Sequence, residues 1–303
     1  MMAESSLVLP TKHTTPLRYP GGKGKLADYV KDILAANELL DGHYVEPFAG
    51  GAGIALELLL HEYVRRIHIN DICQPIYAFW KSVLDHTDEL CRMISDAKLS
   101  VENWDLQKAV LSHPNNHSEL ELGFATFFLN RTNRSGILNA GIIGGRNQTG
   151  PWKIDARYNS AELSGRIQAI ARLRSRIELT CEDACVLIKR IRATLPTKTL
   201  FYLDPPYYDK GKALYLDFYQ HKDHEKISAL IRGIKRQKWI VSYDNVPNIR
   251  ALYKGNSCIT YGLRYSAREA CEGTEIMFFH NEMIMPTATD AMKRARRFYW
   301  KTE

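Results

Sequence analysis

A Rossmann-like, doubly wound α/β sheet interrupted by a mostly helical insertion is the fold this sequence predicts. Three observations predict it: an early strand, glycine turn, helix and strand in succession; a long helical and then glycine-rich stretch; and a return to apolar strands near residue 199. In the opening unit, residues 25–37 place Leu26, Val30, Ile33 and Leu34 at helical spacing. The apolar run 43–48 reads as a strand, broken by Gly50, Gly51 and Gly53. Residues 54–60 read as a helix and 66–70 as a second strand ending at Asp71. That order opens a doubly wound sheet.

The middle of the chain has a different texture. Residues 76–128 look helical, with Trp80, Leu84 and Leu90 at core positions. Residues 136–159 are rich in Gly and Asn and read as a hairpin with loops. Helical spacing resumes over 161–176 through Leu163, Ile167, Ile170 and Leu173. Strands follow at 177–180, 199–203 and 239–243, with a helix at 224–236 and an antiparallel pair at 258–265 and 275–279. The expected division is a sheet domain of 1–74 and 158–303, with 75–157 inserted.

Composition narrows the class. Hydrophobic residues at 45% and charged residues at 25% give enough apolar content for a packed core, which excludes wholesale disorder. A net charge of +7 suits a polyanionic partner without requiring one. No run of about 18 apolar residues predicts a membrane span, and residues 1–15 do not read as a signal peptide. The six cysteines form no C-x-x-C pair, so a reduced, cytoplasmic chain is expected. His113 with His117, and His221 with His224, have helical spacing but no third ligand nearby; both pairs read as surface histidines, and no metal is expected.

Asp204-Pro205-Pro206-Tyr207, after the apolar Phe201-Tyr202-Leu203, carries the most chemistry. Two prolines fix two φ angles and remove two backbone donors, so the chain leaves the strand in a rigid extended turn. The acid and the aromatic are then held at the carboxyl end of a strand, where open α/β sheets bind ligands. An adenine amino nitrogen is a poor nucleophile because its lone pair delocalises into the ring. Hydrogen bonds from it to the Asp204 carboxylate and the Pro205 carbonyl favour a more tetrahedral nitrogen, and Tyr207 can stack on a base that has left its duplex. The bland alternative is a strand that merely ends in a proline turn. Glu46-Pro47-Phe48-Ala49-Gly50-Gly51-Ala52-Gly53 lies at the first strand-to-helix turn, where glycines let a ligand approach the backbone. It lacks the G-x-G-x-x-G phosphate fingerprint. Asp71, at the end of the next strand, can accept both hydroxyls of a ribose. Together these favour an adenosyl ligand.

With Tyr19-Pro20-Gly21-Gly22-Lys23, Ile69-Asn70-Asp71 and Asn130-Arg131 followed by Ser135-Gly136, these motifs stand in an order that resembles the DNA adenine methylase family, amino-methyltransferases of the α arrangement. The resemblance runs from Arg18 to about His280. It implies an S-adenosylmethionine-dependent enzyme that methylates N6 of adenine on a flipped base. Tyr19, Lys23, Asp71 and Asp204 would contact the cofactor or complete its pocket, Glu46, Pro47, Phe48, Gly50 and Gly53 would cradle its methionine part, and Asp183 would face its adenine. The insertion would be the target-recognition domain, with Asn130, Arg131, Arg134, Ser135, Arg146 and Lys153 toward DNA. Implied partners are double-stranded DNA and a cognate restriction endonuclease; a monomer is favoured. Members often show an aromatic and an asparagine before the glycine of the recognition loop. Arg134 and Ser135 stand there instead, so no GATC specificity carries over. Rival readings are transfer to a cytosine amino nitrogen or an RNA base, and a nucleic-acid-binding relative without catalysis.

Overall fold

Apolar runs too short for helices pair here as strands of one sheet. A computed structural model of the chain describes residues 14–18, 26–208, 219–264, 272–287 and 298–301. Helix α1 (Ala27–Ala36) buries Val30, Ile33 and Leu34 and leads to β1 (Gly42–Glu46), α2 (Gly53–Leu60) and β2 (Val64–Asn70). Five helices follow: α3 (Gln74–Asp85), α4 (Thr87–Asp96), α5 (Val101–Ser112), α6 (Glu119–Thr132) and α7 (Ser160–Ala171). The chain then re-enters the sheet as β3 (Ile177–Thr180), α8 (Ala184–Ile191), β4 (Thr199–Leu203), α9 (His221–Arg232), β5 (Lys238–Asp244) and α10 (Pro247–Leu252). It closes with β6 (Cys258–Arg264), β7 (Glu272–Phe279) and β8 (Phe298–Lys301).

Among the described residues the sheet has eight strands in the order β3-β2-β1-β4-β5-β7-β6-β8. The first five are parallel, and β7, β6 and β8 join antiparallel. All five residues of β4 are buried, as expected of a parallel strand covered on both faces. Val45, Phe201, Leu203, Val241 and Tyr243 share one core cluster with Leu187 and Ile188 of α8 and Ile227 and Ile231 of α9. No helix among the described residues is long and apolar enough to cross a membrane.

The chain divides into two units, 1–19 with 75–176, and 20–74 with 177–303. The helical unit is organised by the caps its sequence supplies. Ser118 and Glu121 form a reciprocal capping box at the start of α6, and Ser100 and Asn159 accept amide hydrogens at the starts of α5 and α7. Trp80, Leu84 and Leu90 are buried, with Phe79, Phe127 and Tyr158 packed ring against ring.

Three expectations need correction. Residues 158–176 belong to the helical unit: α7 packs on α4, and the Tyr158 phenol donates to the Ile94 carbonyl at 3.2 Å. The hairpin expected in 136–159 is reduced to a single bridge between Asn133 and Ile142. Ser135, Gly136, Gly144, Gly145 and Gln148 all have positive φ, which folds the segment into successive turns and denies it a ladder. A Cβ at Gly136 would also lie 2.4 Å from the Arg18 carbonyl oxygen. Finally, His224 is no surface residue: it is fully buried, with Nδ1 3.1 Å from the Tyr243 phenol.

Burial lowers the pKa of His224 to about 4, and burial beside His43 does the same to His68. His43 Nδ1 and His68 Nε2 lie 3.0 Å apart on β1 and β2. A histidine depressed on folding contributes stability that is present above its unfolded pKa of 6.5 and lost as pH falls towards 4. Denaturant titrations at pH 7 and pH 4.5 will therefore show an acid-sensitive protein. The His68→Gln variant will lose less across that interval, by about 2–3 kcal/mol at most.

Candidate active site

The sheet order reverses between β1 and β4, since β2 and β3 lie on one side of that pair and β5 on the other. Ligands of doubly wound sheets bind at this point, beyond the carboxyl ends of the strands. Glu46 is the last residue of β1, Asp204 follows β4, Asp71 follows β2, and Asp244 ends β5. Four carboxyl groups thus lie along one edge of the sheet.

The D-P-P-Y turn is held from several sides. Ser242, on β5, donates from Oγ to Asp204 Oδ1 at 2.9 Å, and its hydroxyl also lies 3.1 Å from the Tyr202 phenol. Pro205 and Pro206 have no amide hydrogens, and the Tyr208 amide beyond them donates to Asp244 Oδ1 at 2.9 Å. Tyr207 is 5% exposed, and its phenol donates to Glu275 Oε1 at 2.5 Å. Ser242, Asp244 and Glu275 escaped the sequence reading.

The glycine turn is equally constrained. Gly50 and Ala52 adopt left-handed φ values of 45° and 46°, so an alanine takes one of the positions expected of glycine, while Gly53 opens α2. Asp71 ties the turn to β2, accepting the Gly50 amide on Oδ2 at 2.8 Å and the Cys73 amide on Oδ1 at 3.0 Å. Asn70 reaches the carbonyls of Pro47 at 2.9 Å and Glu182 at 3.0 Å. Glu46 is 4% exposed and accepts the Ala55 amide at 3.3 Å in the first turn of α2. Burial, then the neighbouring charge of Asp204, pushes its pKa well above the usual carboxyl range. The buried Tyr44 hydroxyl has no partner among the described residues. Phe48 meets Tyr219 edge to face at 5.8 Å. Asp183 is exposed and caps α8, accepting the amides of Cys185 and Val186 at 2.9 and 3.1 Å. Tyr19 and Lys23 lie outside the described residues.

An edge this rich in acids, with the Glu46 pKa pushed up by burial and the charge of Asp204, suits a positively charged ligand. The left-handed Gly50 opens the backbone to one, and the Tyr44 hydroxyl offers a buried polar contact. S-adenosylmethionine, whose sulfonium is cationic, fits this donor set. Among the described residues no group of three or more His, Cys, Asp or Glu is arranged to hold a metal ion.

The residues expected to face DNA separate into two kinds. Asn130 is buried and structural: its amide oxygen takes the Arg18 amide hydrogen at 2.7 Å, and its amide nitrogen donates to the carbonyls of Arg18 and Gly136 at 2.7 and 2.9 Å. Arg131 donates to the Arg157 carbonyl at 2.8 Å, and burial followed by the charge of Arg18 lowers its pKa to about 10. Arg146 makes a two-pronged pair with Asp105 at 2.7 and 2.8 Å. Arg134, Ser135 and Lys153 are exposed, although Lys153 also donates to the Gln148 carbonyl. Beside them Trp152 is 63% exposed, with the Arg157 guanidinium 5.7 Å from its ring centre. The sequence reading had passed over this tryptophan.

A doubly wound sheet closed by an antiparallel β7, with carboxyl groups at the ends of its parallel strands, is consistent with the Rossmann-like methyltransferase fold. The chain belongs to the D12 class N6 adenine-specific DNA methyltransferase family, whose model matches residues 19–267. It is 23% identical over 207 residues to the type II methyltransferase M.MjaIII of Methanocaldococcus jannaschii, covering 63% of this chain and 68% of that protein. Among solved structures it is similar to the rRNA methyltransferase aviRa from Streptomyces viridochromogenes, at 15% identity and a TM-score of 0.39, covering 97% of this chain and 96% of that one. A SAM-dependent methyltransferase from Agrobacterium tumefaciens matches at 12% identity and a TM-score of 0.38, over 86% of this chain and 61% of that one.

Because the pKa of Glu46 is raised on folding, its contribution to stability is complete below pH 4.5 and lost as pH rises through the folded value. Glu46→Gln keeps an acceptor for the Ala55 amide and removes the titration. Thermal denaturation without cofactor will show the variant melting above wild type at pH 8, with the difference closing as pH falls towards 4.5.

Proposed function

We propose that this chain methylates N6 of an adenine that has been extruded from double-stranded DNA, by direct transfer without a covalent enzyme intermediate. One observation carries this reading: the Asp204 carboxyl, oriented by Ser242, stands beyond β4 at the switch point in a proline-stiffened turn. S-adenosylmethionine, when bound, supplies an electrophilic methyl group on a sulfonium centre. Asp204 and the Pro205 carbonyl accept hydrogen bonds from the adenine amino group, turning its lone pair out of conjugation. As the nitrogen gains positive charge, the carboxylate stabilises it and receives the proton it sheds. Pro206 fixes the spacing between this acid and Tyr207, whose ring bears on the extruded base.

The same reading assigns the cofactor's methionine part to the turn from Glu46 to Gly53, with Pro47, Phe48 and Gly50 as its wall, and its ribose to Asp71. Asp183, Tyr19 and Lys23 complete the pocket. The helical unit serves as target-recognition domain, and its exposed cations Arg134 and Lys153, with Arg157, meet phosphates or guanine edges. Arg146 and Arg131 are already engaged within the unit, and Asn130 shapes the loop from inside.

Sequencing DNA from cells that express the protein, by a method that detects methyladenine, will reveal one modified sequence motif; unmodified adenine at every motif would refute the proposal. In vitro, Asp204→Ala will lower methyl transfer by at least about 10²-fold while melting like wild type. Arg134→Ala will reduce the salt dependence of DNA affinity by about one unit of logarithmic slope. An unchanged slope would remove Arg134 from the interface.

A further inference from the structure

Glu275 lies in the middle of β7 at 2% exposure, next to Ile276, Met277 and Phe278, where an apolar side chain would avoid the cost of desolvating a carboxyl group. Its neighbours explain its presence. Across the antiparallel ladders it stands opposite Asp244 of β5 on one side and Tyr261 of β6 on the other. The Tyr207 phenol donates to Oε1 at 2.5 Å, and the Tyr261 phenol donates to Oε2 at 2.8 Å. The carboxyl group is thus fixed in plane by one tyrosine and fixes the other.

We propose that Glu275 is a positioning residue for methyl transfer: by holding the Tyr207 phenol it sets the plane of the ring against which the extruded adenine stacks. This rests on the function proposed above. A tyrosine ring anchored only at its Cα can rotate about two side-chain bonds. Here the Cα end is stiffened by Pro205 and Pro206 and by the bond from the Tyr208 amide to Asp244, and the Glu275 bond holds the far end. Two-point attachment removes the ring's rotational freedom before the base arrives, so that stacking need not supply it. Tyr261 supports the clamp from behind and keeps the carboxyl group from swinging away with Tyr207. In this proposal Glu275 acts on the reacting atoms through Tyr207.

The test is a double-mutant cycle of Glu275→Met, which removes both acceptor oxygens, with Tyr207→Phe, read in two ways. Thermal or denaturant unfolding reports whether the two side chains are coupled in the folded protein. Single-turnover methyl transfer, on an oligonucleotide carrying the motif found by methyladenine sequencing, reports whether that coupling is used. The expected result is coupling in stability and about a tenfold lower single-turnover rate for each single variant. The double variant will be no slower than Tyr207→Phe alone, and affinities for S-adenosylmethionine and the duplex will stay within about twofold. Glu275→Gln, which keeps one oxygen acceptor, will retain more of the rate than Glu275→Met; should Glu275→Met not fold, Tyr207→Phe alone decides, since a wild-type rate in that variant overturns the proposal. Additive stabilities would show that the contact is absent. Coupled stabilities with multiplicative or unchanged rates would make Glu275 merely structural. Either outcome overturns the proposal. A wild-type protein that moves no methyl group to adenine fails the functional reading itself, and with it any role for Glu275 in that reaction, whatever the stability cycle shows.

Discussion

Negative charge crowded at one edge of the sheet is the constraint on which the site depends. Doubly wound topology brings the ends of β1, β2, β4 and β5 together, and each of them carries an acid. Like charges held this close repel unless each finds compensation. Asp71 finds it in two backbone amides, Asp204 in a serine hydroxyl, Asp244 in the Tyr208 amide and Glu275 in two phenols. Glu46 accepts one amide at 3.3 Å, and burial with the charge of Asp204 holds its pKa well above the usual carboxyl range. A cation on this edge would offset that repulsion.

The same acids give the D-P-P-Y turn its rigidity. Two consecutive prolines deprive the turn of amide donors, so its geometry has to be imposed from neighbouring strands. β5 supplies Ser242 and Asp244, spaced two residues apart and hence on one face, and β7 places Glu275 directly across from Asp244. Behind them His224 packs against both Tyr208 and Tyr219 at 5.2 and 5.4 Å, burying a neutral imidazole to support the end of the turn. The geometry of the turn is therefore a property of the sheet as much as of the motif.

That division explains what the sequence made legible. D-P-P-Y, the Glu46 turn and Asp71 each announce themselves within a few residues, because proline, glycine and strand-end acids act locally. Ser242, Asp244 and Glu275 act through strand pairing, and their roles depend on the order β4-β5-β7, which no local pattern encodes. Residues 130–148 behave in the opposite way. Asn130 and its neighbours look like a polar loop presented to a partner, yet the asparagine spends three hydrogen bonds fixing Arg18 and Gly136. A hairpin was expected between glycines that instead sit at positive φ and turn the chain repeatedly. Alternation in sequence cannot register such turns, whereas the Ser118 and Glu121 cap, spaced for a helix start, can be read directly.

The helical unit carries the complementary electrostatic problem. Arg131 lies close enough to Arg18, Arg166 and Arg157 for each to lower its pKa, and Glu162 is the one acid among the causes that opposes them. Arg166 is 7% exposed; it pairs with Glu162 and donates to the Thr15 carbonyl, while its Nε has no partner among the described residues. Most of these guanidinium contacts are made to backbone carbonyls, which satisfy donors without cancelling charge. Four arginines held together in this way leave a positive field that the unit's own side chains only partly neutralise. In the function proposed above a polyanion supplies the countercharge, and its binding weakens as salt screens that field. The acidic strand ends and the arginine cluster are thus opposite local imbalances, which in the proposed reaction a cationic methyl donor and a phosphate backbone would relieve.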